Sequence, residues 1–222
     1  MYTVLYTKHI FVAKVAMGRP QGTRDKDYDA RRLSLAAALR GRLADRSGPP
    51  PSYAELAKAA GVSLATLRHY FGSRDEAVAS VLRLHGPLGE PHLVLLAKPL
   101  ADFAGSIGAA VDQISEGLAE PLVAELHAVG LAEGLAHATI GPAYLTDILE
   151  PTIVALEARL AGHVQAGHMR AADLRAAALM LISPLVLARL HQGWLGGSVT
   201  RPLSEPAHRA ALAEAFIRAY AS

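Results

Sequence analysis

Between Ser63 and Arg74 the sequence gathers side chains that hydrogen-bond or carry charge: Ser63, Thr66, Arg68, His69, Tyr70 and Arg74, interleaved with Leu64, Ala65, Leu67 and Phe71. Their types suit recognition better than bond-breaking. A threonine hydroxyl or an arginine fork can read base edges, while tyrosine, histidine and helix N-termini can hold phosphate. Leu67 and Phe71, four residues apart, form the inward pair of a helix together with nearby Val62, which turns the polar residues outward. Three ordinary short helices with a solvated face would show the same periodicity.

Local signals set the elements that must position this face. Leu35, Leu39 and Leu43 recur every four residues and predict a helix from Asp29 to about Arg46, ended by Ser47-Gly48-Pro49-Pro50-Pro51. Ser52 and Glu55 form a capping box for a short helix ending at Ala59. Gly61 supplies a tight turn, Ser63 caps the helix Leu64–Phe71, and Gly72 stops it. Ser73 to Glu76 reads as a second capping box, opening a helix with Ala77, Val78, Val81, Leu82 and His85 on one face. Two short helices joined by a glycine-containing turn make a helix-turn-helix, whose second helix enters the major groove.

The chain has 222 residues, 51% hydrophobic and 19% charged, which excludes a disordered polymer. It lacks cysteine, which removes disulfides, thiolate metal sites and thiol nucleophiles and fits a reducing, cytoplasmic setting. The net charge of +2 conceals an asymmetry. Residues 1–85 hold 14 basic and 7 acidic residues, a net of +7, and the remainder carries −5. Gly86-Pro87-Leu88-Gly89-Glu90-Pro91 reads as the boundary, giving a basic segment over 17–85 and a second domain over 86–222. Residues 1–16, broken by Lys8, His9 and Lys14, read either as a translated upstream segment or loose extension, or as a packed tail; neither a signal sequence nor a membrane span is expected there.

Read whole, residues 53–82 (YAELAKAAGVSLATLRHYFGSRDEAVASVL) resemble the signature of the tetracycline-repressor (TetR) family. The resemblance rests on Ala60, Gly61, Val62, Ser63, Thr66, Leu67, Tyr70, Phe71, Gly72, Ser73, Asp75 and Glu76. The sequence departs from the family pattern at Arg68, where tyrosine is usual, and at Arg74, where lysine is usual. The resemblance implies a homodimeric transcription regulator, most often a repressor, released from double-stranded operator DNA by a small-molecule effector. It places Ser63, Leu64, Ala65, Thr66 and Arg68 at the base-facing part of the recognition helix. Tyr70, Arg74 and Ser52 take phosphate-contacting positions, His69 takes either role, and Arg19 and Arg24 lie in an arm that some relatives lay into the minor groove. Arg68 is read either as a phosphate contact or as a bidentate guanine contact.

The remaining sequence predicts helices around 92–117, 120–137, 143–166, 172–193 and 204–220, with Gly105 or Gly108 dividing the first. The fold class is therefore all-α: an N-terminal three-helix domain with the helix-turn-helix, and a larger C-terminal helical domain for ligand binding and dimerisation. Residues 176–188 carry no charge. Leu181, Leu185 and Ala188, with Leu212 and Phe216 of the last helix, are the expected dimer interface. Phe103, Gln113, His127, His137 and Tyr144 are the expected pocket residues, and the scarcity of aromatics favours an aliphatic or small amphipathic effector. No cofactor or metal is expected. Ten histidines lack the spacing of a helical zinc pair, and neither a phosphate loop nor a nucleophile elbow occurs, so an enzyme is not expected. The competing class is a dimeric small-molecule or partner-binding protein whose DNA-reading helix has degenerated, a reading that Arg68 and Leu64 keep open.

Overall fold

The computed structural model describes residues 21–45 and 47–222. The expected extension over 1–16 and Arg19 lie outside them, and of Arg24 the backbone alone is described. The described residues form α1 (Gln21–Ala44), α2 (Tyr53–Ala59), α3 (Leu64–Phe71), α4 (Arg74–Leu82), α5 (His85–Leu96), α6 (Phe103–Ala119), α7 (Pro121–Gly134), α8 (Ile140–Tyr144), a π-helical turn (Leu145–Leu149), α9 (Glu150–Gln165), α10 (Leu174–Gly193), α11 (Gly197–Thr200) and α12 (Glu205–Tyr220). The fold is all-α.

Local chemistry sets most boundaries. Ser52 accepts from the Glu55 amide at 3.3 Å while its own amide donates to Glu55 Oε2 at 2.7 Å. Ser63 caps α3 through the Thr66 amide, and Ser73 caps α4 through the Glu76 amide. The second box is half-formed, since the Glu76 carboxylate lies 3.8 Å from Arg83 instead. Gly61 (φ +67°) and Gly72 (φ +73°) provide the left-handed turns on either side of α3.

The second half departs from expectation in three places. The Gly86–Pro91 segment is not a loop: α5 runs through Pro91, carrying Leu93 and Leu96 onto the core. Neither Gly105 nor Gly108 divides the next helix. The break is Ala97–Asp102, where Pro99 falls, and the Asp102 carboxylate accepts from the Gly105 amide at 2.6 Å to start α6. The helix expected over 143–166 contains the π turn. Pro151, having no N–H, cannot bond the Asp147 carbonyl one turn back, and the ladder widens there.

Two hydrophobic cores result. The first joins Leu35, Leu39 and Leu43 to Leu56, Leu67, Phe71 and Val78, and also takes in Leu126, Val129, Ile140, Tyr144 and Ile148. Residues beyond 86 thus help build the core that supports the helix-turn-helix. The second core holds Phe103, Ile107, Leu156, Leu160, Ala177, Leu181, Leu185 and Phe216. Within it Arg159, 2% exposed, donates to the Leu96, Leu95 and Ser106 carbonyls at 2.6, 3.1 and 3.0 Å, tying α9 to the carbonyl end of α5. Burial holds its guanidinium below the ordinary arginine range.

Leu181, Leu185 and Phe216 therefore face their own core rather than a second copy. On a helix of 3.6 residues per turn the opposite stripe of α10, with Leu179, Met180, Ser183 and Leu187, is the exposed one. Ala188 and Leu212 are half-buried. By length and apolarity α10 is long enough to cross a membrane, but it packs against α6, α9 and α12.

Candidate functional site

The α2–turn–α3 unit is held from below by Leu56, Leu67 and Phe71, all buried. Its outer surface carries exposed Ser52, Ser63, Ala65, Arg68 and His69, with Leu64, Thr66 and Tyr70 half-buried. Ser63 and Thr66 share a hydrogen bond of 2.8 Å between their hydroxyls, which fixes both at the start of α3. Tyr70 stacks on Tyr28 of α1 at 4.8 Å, and the Tyr28 hydroxyl donates to the His69 and Tyr70 carbonyls at 3.3 Å each. Tyr28 thereby fixes the end of α3 relative to α1; nothing in its local sequence marked it.

Arg74 is placed otherwise than expected. Its guanidinium donates to both Glu133 carboxylate oxygens, at 2.7 and 2.9 Å, and its Nε–H donates to the Pro51 carbonyl at 2.8 Å. With its donors so engaged and its side chain 18% exposed, it joins α4 to α7 rather than reaching outward to a phosphate. The Glu133 bonds raise its affinity for the proton above the ordinary arginine value. His137 stands beside this pair, its ring nitrogens 3.7 Å from Asp75 and 3.6 Å from Glu133, and so lies at the junction of the two halves rather than in a pocket. Arg40–Glu125 at 2.8 Å and Arg83–Asp147 at 3.7 Å repeat the arrangement. Part of the basic excess of the first half is matched by acids of the second.

A cavity of about 270 Å³ lies in the second half. Its wall is formed by His92, Leu93 and Leu96 of α5, Gln113, Ile114 and Leu118 of α6, Leu122, Val123 and His127 of α7, Ile148 and Leu149 of the π turn, Thr152 of α9 and Ile182 of α10, with Glu120 between α6 and α7. Of the expected pocket residues, Gln113 and His127 line it. Tyr144 stands behind His127, its hydroxyl 2.8 Å from His127 Nδ1, and burial pushes that phenol up. Phe103 packs in the second core against His163 and Phe216 instead. His92 and Thr152 join the wall through the fold alone; their sequence neighbourhoods carried no signal.

The α7 helix thus carries the cavity residue His127 and, less than two turns on, the Arg74 partner Glu133. It can approach α8 closely because Gly130 lies flat on the Tyr144 ring, where a Cβ would overlap it, and Gly134 meets Gly141, where a Cβ would stand 2.8 Å from the Gly134 carbonyl oxygen.

The fold, a helix-turn-helix seated on a larger helical half, is shared with known structures. A protein from Mesorhizobium loti assigned to the TetR family superposes with a TM-score of 0.66 at 17% identity, covering 87% of this chain and 98% of its own. The chain has the TetR fold. A TetR-family regulator from Pseudomonas syringae pv. tomato shares this fold at TM-score 0.63 and 17% identity, covering 87% of this chain and 98% of that one. So does the transcriptional regulator FadR of Bacillus subtilis, in complex with stearoyl-CoA, at 0.63 and 16%, covering 83% and 97%. No protein-family model and no curated protein matches the sequence.

Proposed function

We propose that this protein is a TetR-family transcriptional regulator that binds double-stranded DNA through α3 as a homodimer, acts in the cytoplasm as a repressor, and is released from its operator by a small molecule in the 270 Å³ cavity. The observation that carries the reading is the exposed Ser63–Ala65–Arg68–His69 face of a helix-turn-helix whose support includes residues of the cavity-bearing half. The net charge of +7 on residues 1–85 favours phosphate contacts, with Arg68 and His69 presented outward. Arg19 and Arg24 are proposed to add minor-groove contacts. The exposed apolar stripe of α10, with Leu179, Met180 and Leu187, and the small residues of α12 are the proposed dimer face.

Ligand response follows from shared parts. Ile148 belongs both to the cavity wall and to the core beneath α3, and His127 shares α7 with Glu133. A ligand that displaces α7 or the π turn would move α4 through Arg74, and with it the distance between the two recognition helices. The B. subtilis FadR structure, in complex with stearoyl-CoA, supports a small-molecule effector for a protein of this fold.

Selection from a random pool of double-stranded DNA by the full chain tests the reading. An enriched inverted repeat with half-sites about one helical turn apart is expected. An unenriched pool would favour the degenerate binding protein instead.

A further inference from the structure

Resting on the reading of the cavity as the regulatory site, we infer that its ligand is an uncharged or cationic aliphatic molecule and that organic anions are excluded. Among the described residues, those lining the cavity include no lysine or arginine. The formal charge at its wall is the carboxylate of Glu120, on the exposed edge where α6 ends and α7 begins. Of the arginines on neighbouring elements, Arg159 is satisfied by carbonyls and Ser106, Arg175 pairs with Glu150 at 2.7 Å, and Arg189 and Arg209 line a separate small recess between α6, α10 and α12, where Arg209 pairs with Asp112 at 3.2 Å.

The polar groups on the wall provide neutral hydrogen bonding. The Gln113 amide donates to the His92 carbonyl at 2.7 Å, which leaves its carbonyl oxygen as an acceptor. Thr152 adds a hydroxyl, and His127 is held by Tyr144. The start of α7, at the rim, opens on Pro121, which has no N–H, and has the Glu120 carboxylate beside it. A carboxylate or phosphate drawn inside would be a desolvated charge with no countercharge. An alcohol or amide would meet matching groups, an ammonium would meet Glu120, and either would lay its chain on Leu93, Leu118, Ile148 and Ile182. The volume, 270 Å³, lies just below the ~300 Å³ at which small-molecule sites begin and suits a short-chain compound.

Calorimetric titration of the full chain with 1-octanol, octylammonium and octanoate at pH 8 tests this. Octanol and octylammonium should each bind at least ~10-fold more tightly than octanoate. Octanoate binding as tightly as either, or no binding by any of the three, would overturn the inference. Gln113→Lys should raise octanoate affinity about 10-fold by supplying the missing countercharge, and an unchanged affinity would also overturn it. If octanol binds as expected yet leaves the selected DNA bound, the ligand class stands and the regulatory reading fails.

Discussion

Arg74 and Glu133 form a two-bond fork, 2.7 and 2.9 Å, between α4, the helix that follows α3, and α7, which walls the cavity. The pair is largely withdrawn from solvent, the two side chains being 18% and 7% exposed. Removing one partner leaves the other charge uncompensated. Glu133→Gln should therefore cost about 2–4 kcal/mol in urea unfolding. It should also weaken the ligand-driven release of DNA while leaving ligand affinity in place. A double-mutant cycle with Arg74→Met checks that the loss belongs to the pair, and additive effects would contradict the coupling.

Gly130 is the contact surface for the Tyr144 ring. Gly130→Ala should push α7 and α8 apart and lower stability by about 1–3 kcal/mol, read as a fall in Tm. Gly117→Ala, where an added methyl meets nothing, is the matched control and should stay near wild type.

The two faces of α10 separate by substitution. Leu181→Lys places a charge in the core and should unfold the second half, seen as lost helicity in circular dichroism. Leu187→Glu alters an exposed position, 61% accessible, and should leave helicity intact while shifting sedimentation from dimer to monomer. A Leu187→Glu protein that still sediments as a dimer would move the interface elsewhere.

How far these features are legible in sequence follows from their range. The capping serines, Gly61, Gly72 and the inward Leu67–Phe71 pair act within a few residues, so their pattern is local and readable. Arg74 occupies a position that resembles a phosphate contact, and nothing near it reveals that Glu133, 59 residues on, takes its guanidinium. The uncharged stretch of α10 is apolar nearly all round, so periodicity cannot say which stripe faces the core. Pro91 and the glycines around it carry every local sign of a linker, and the packing of Leu93 and Leu96 overrides them. His163 and His168 have no recognisable ligand spacing, yet the turn at Gly167 (φ +73°) brings their Nδ1 atoms to 3.3 Å.

That histidine pair gives a pH dependence. Burial first, then the neighbouring His168 and Arg159, hold His163 below the ordinary imidazole value of 6.5. The unfolded chain takes up this proton near the ordinary value and the folded chain does so only at lower pH. The stabilisation is therefore complete above about pH 6.5 and is lost as the pH falls below it. His163→Gln should flatten the slope of unfolding free energy between pH 7 and pH 5 relative to wild type. An unchanged slope would place the dependence on other groups.

The central claim, that the exposed face of α3 reads DNA, is tested most directly by the salt dependence of binding. The measurement compares wild type with Arg68→Ala, on the selected duplex and on a scrambled one. The claim predicts that log K for wild type falls steeply with log salt, with a slope of magnitude about 4 or more. It also predicts that Arg68→Ala loses ~1–3 kcal/mol on the selected duplex. A flat salt response with equal affinity for both duplexes would contradict it.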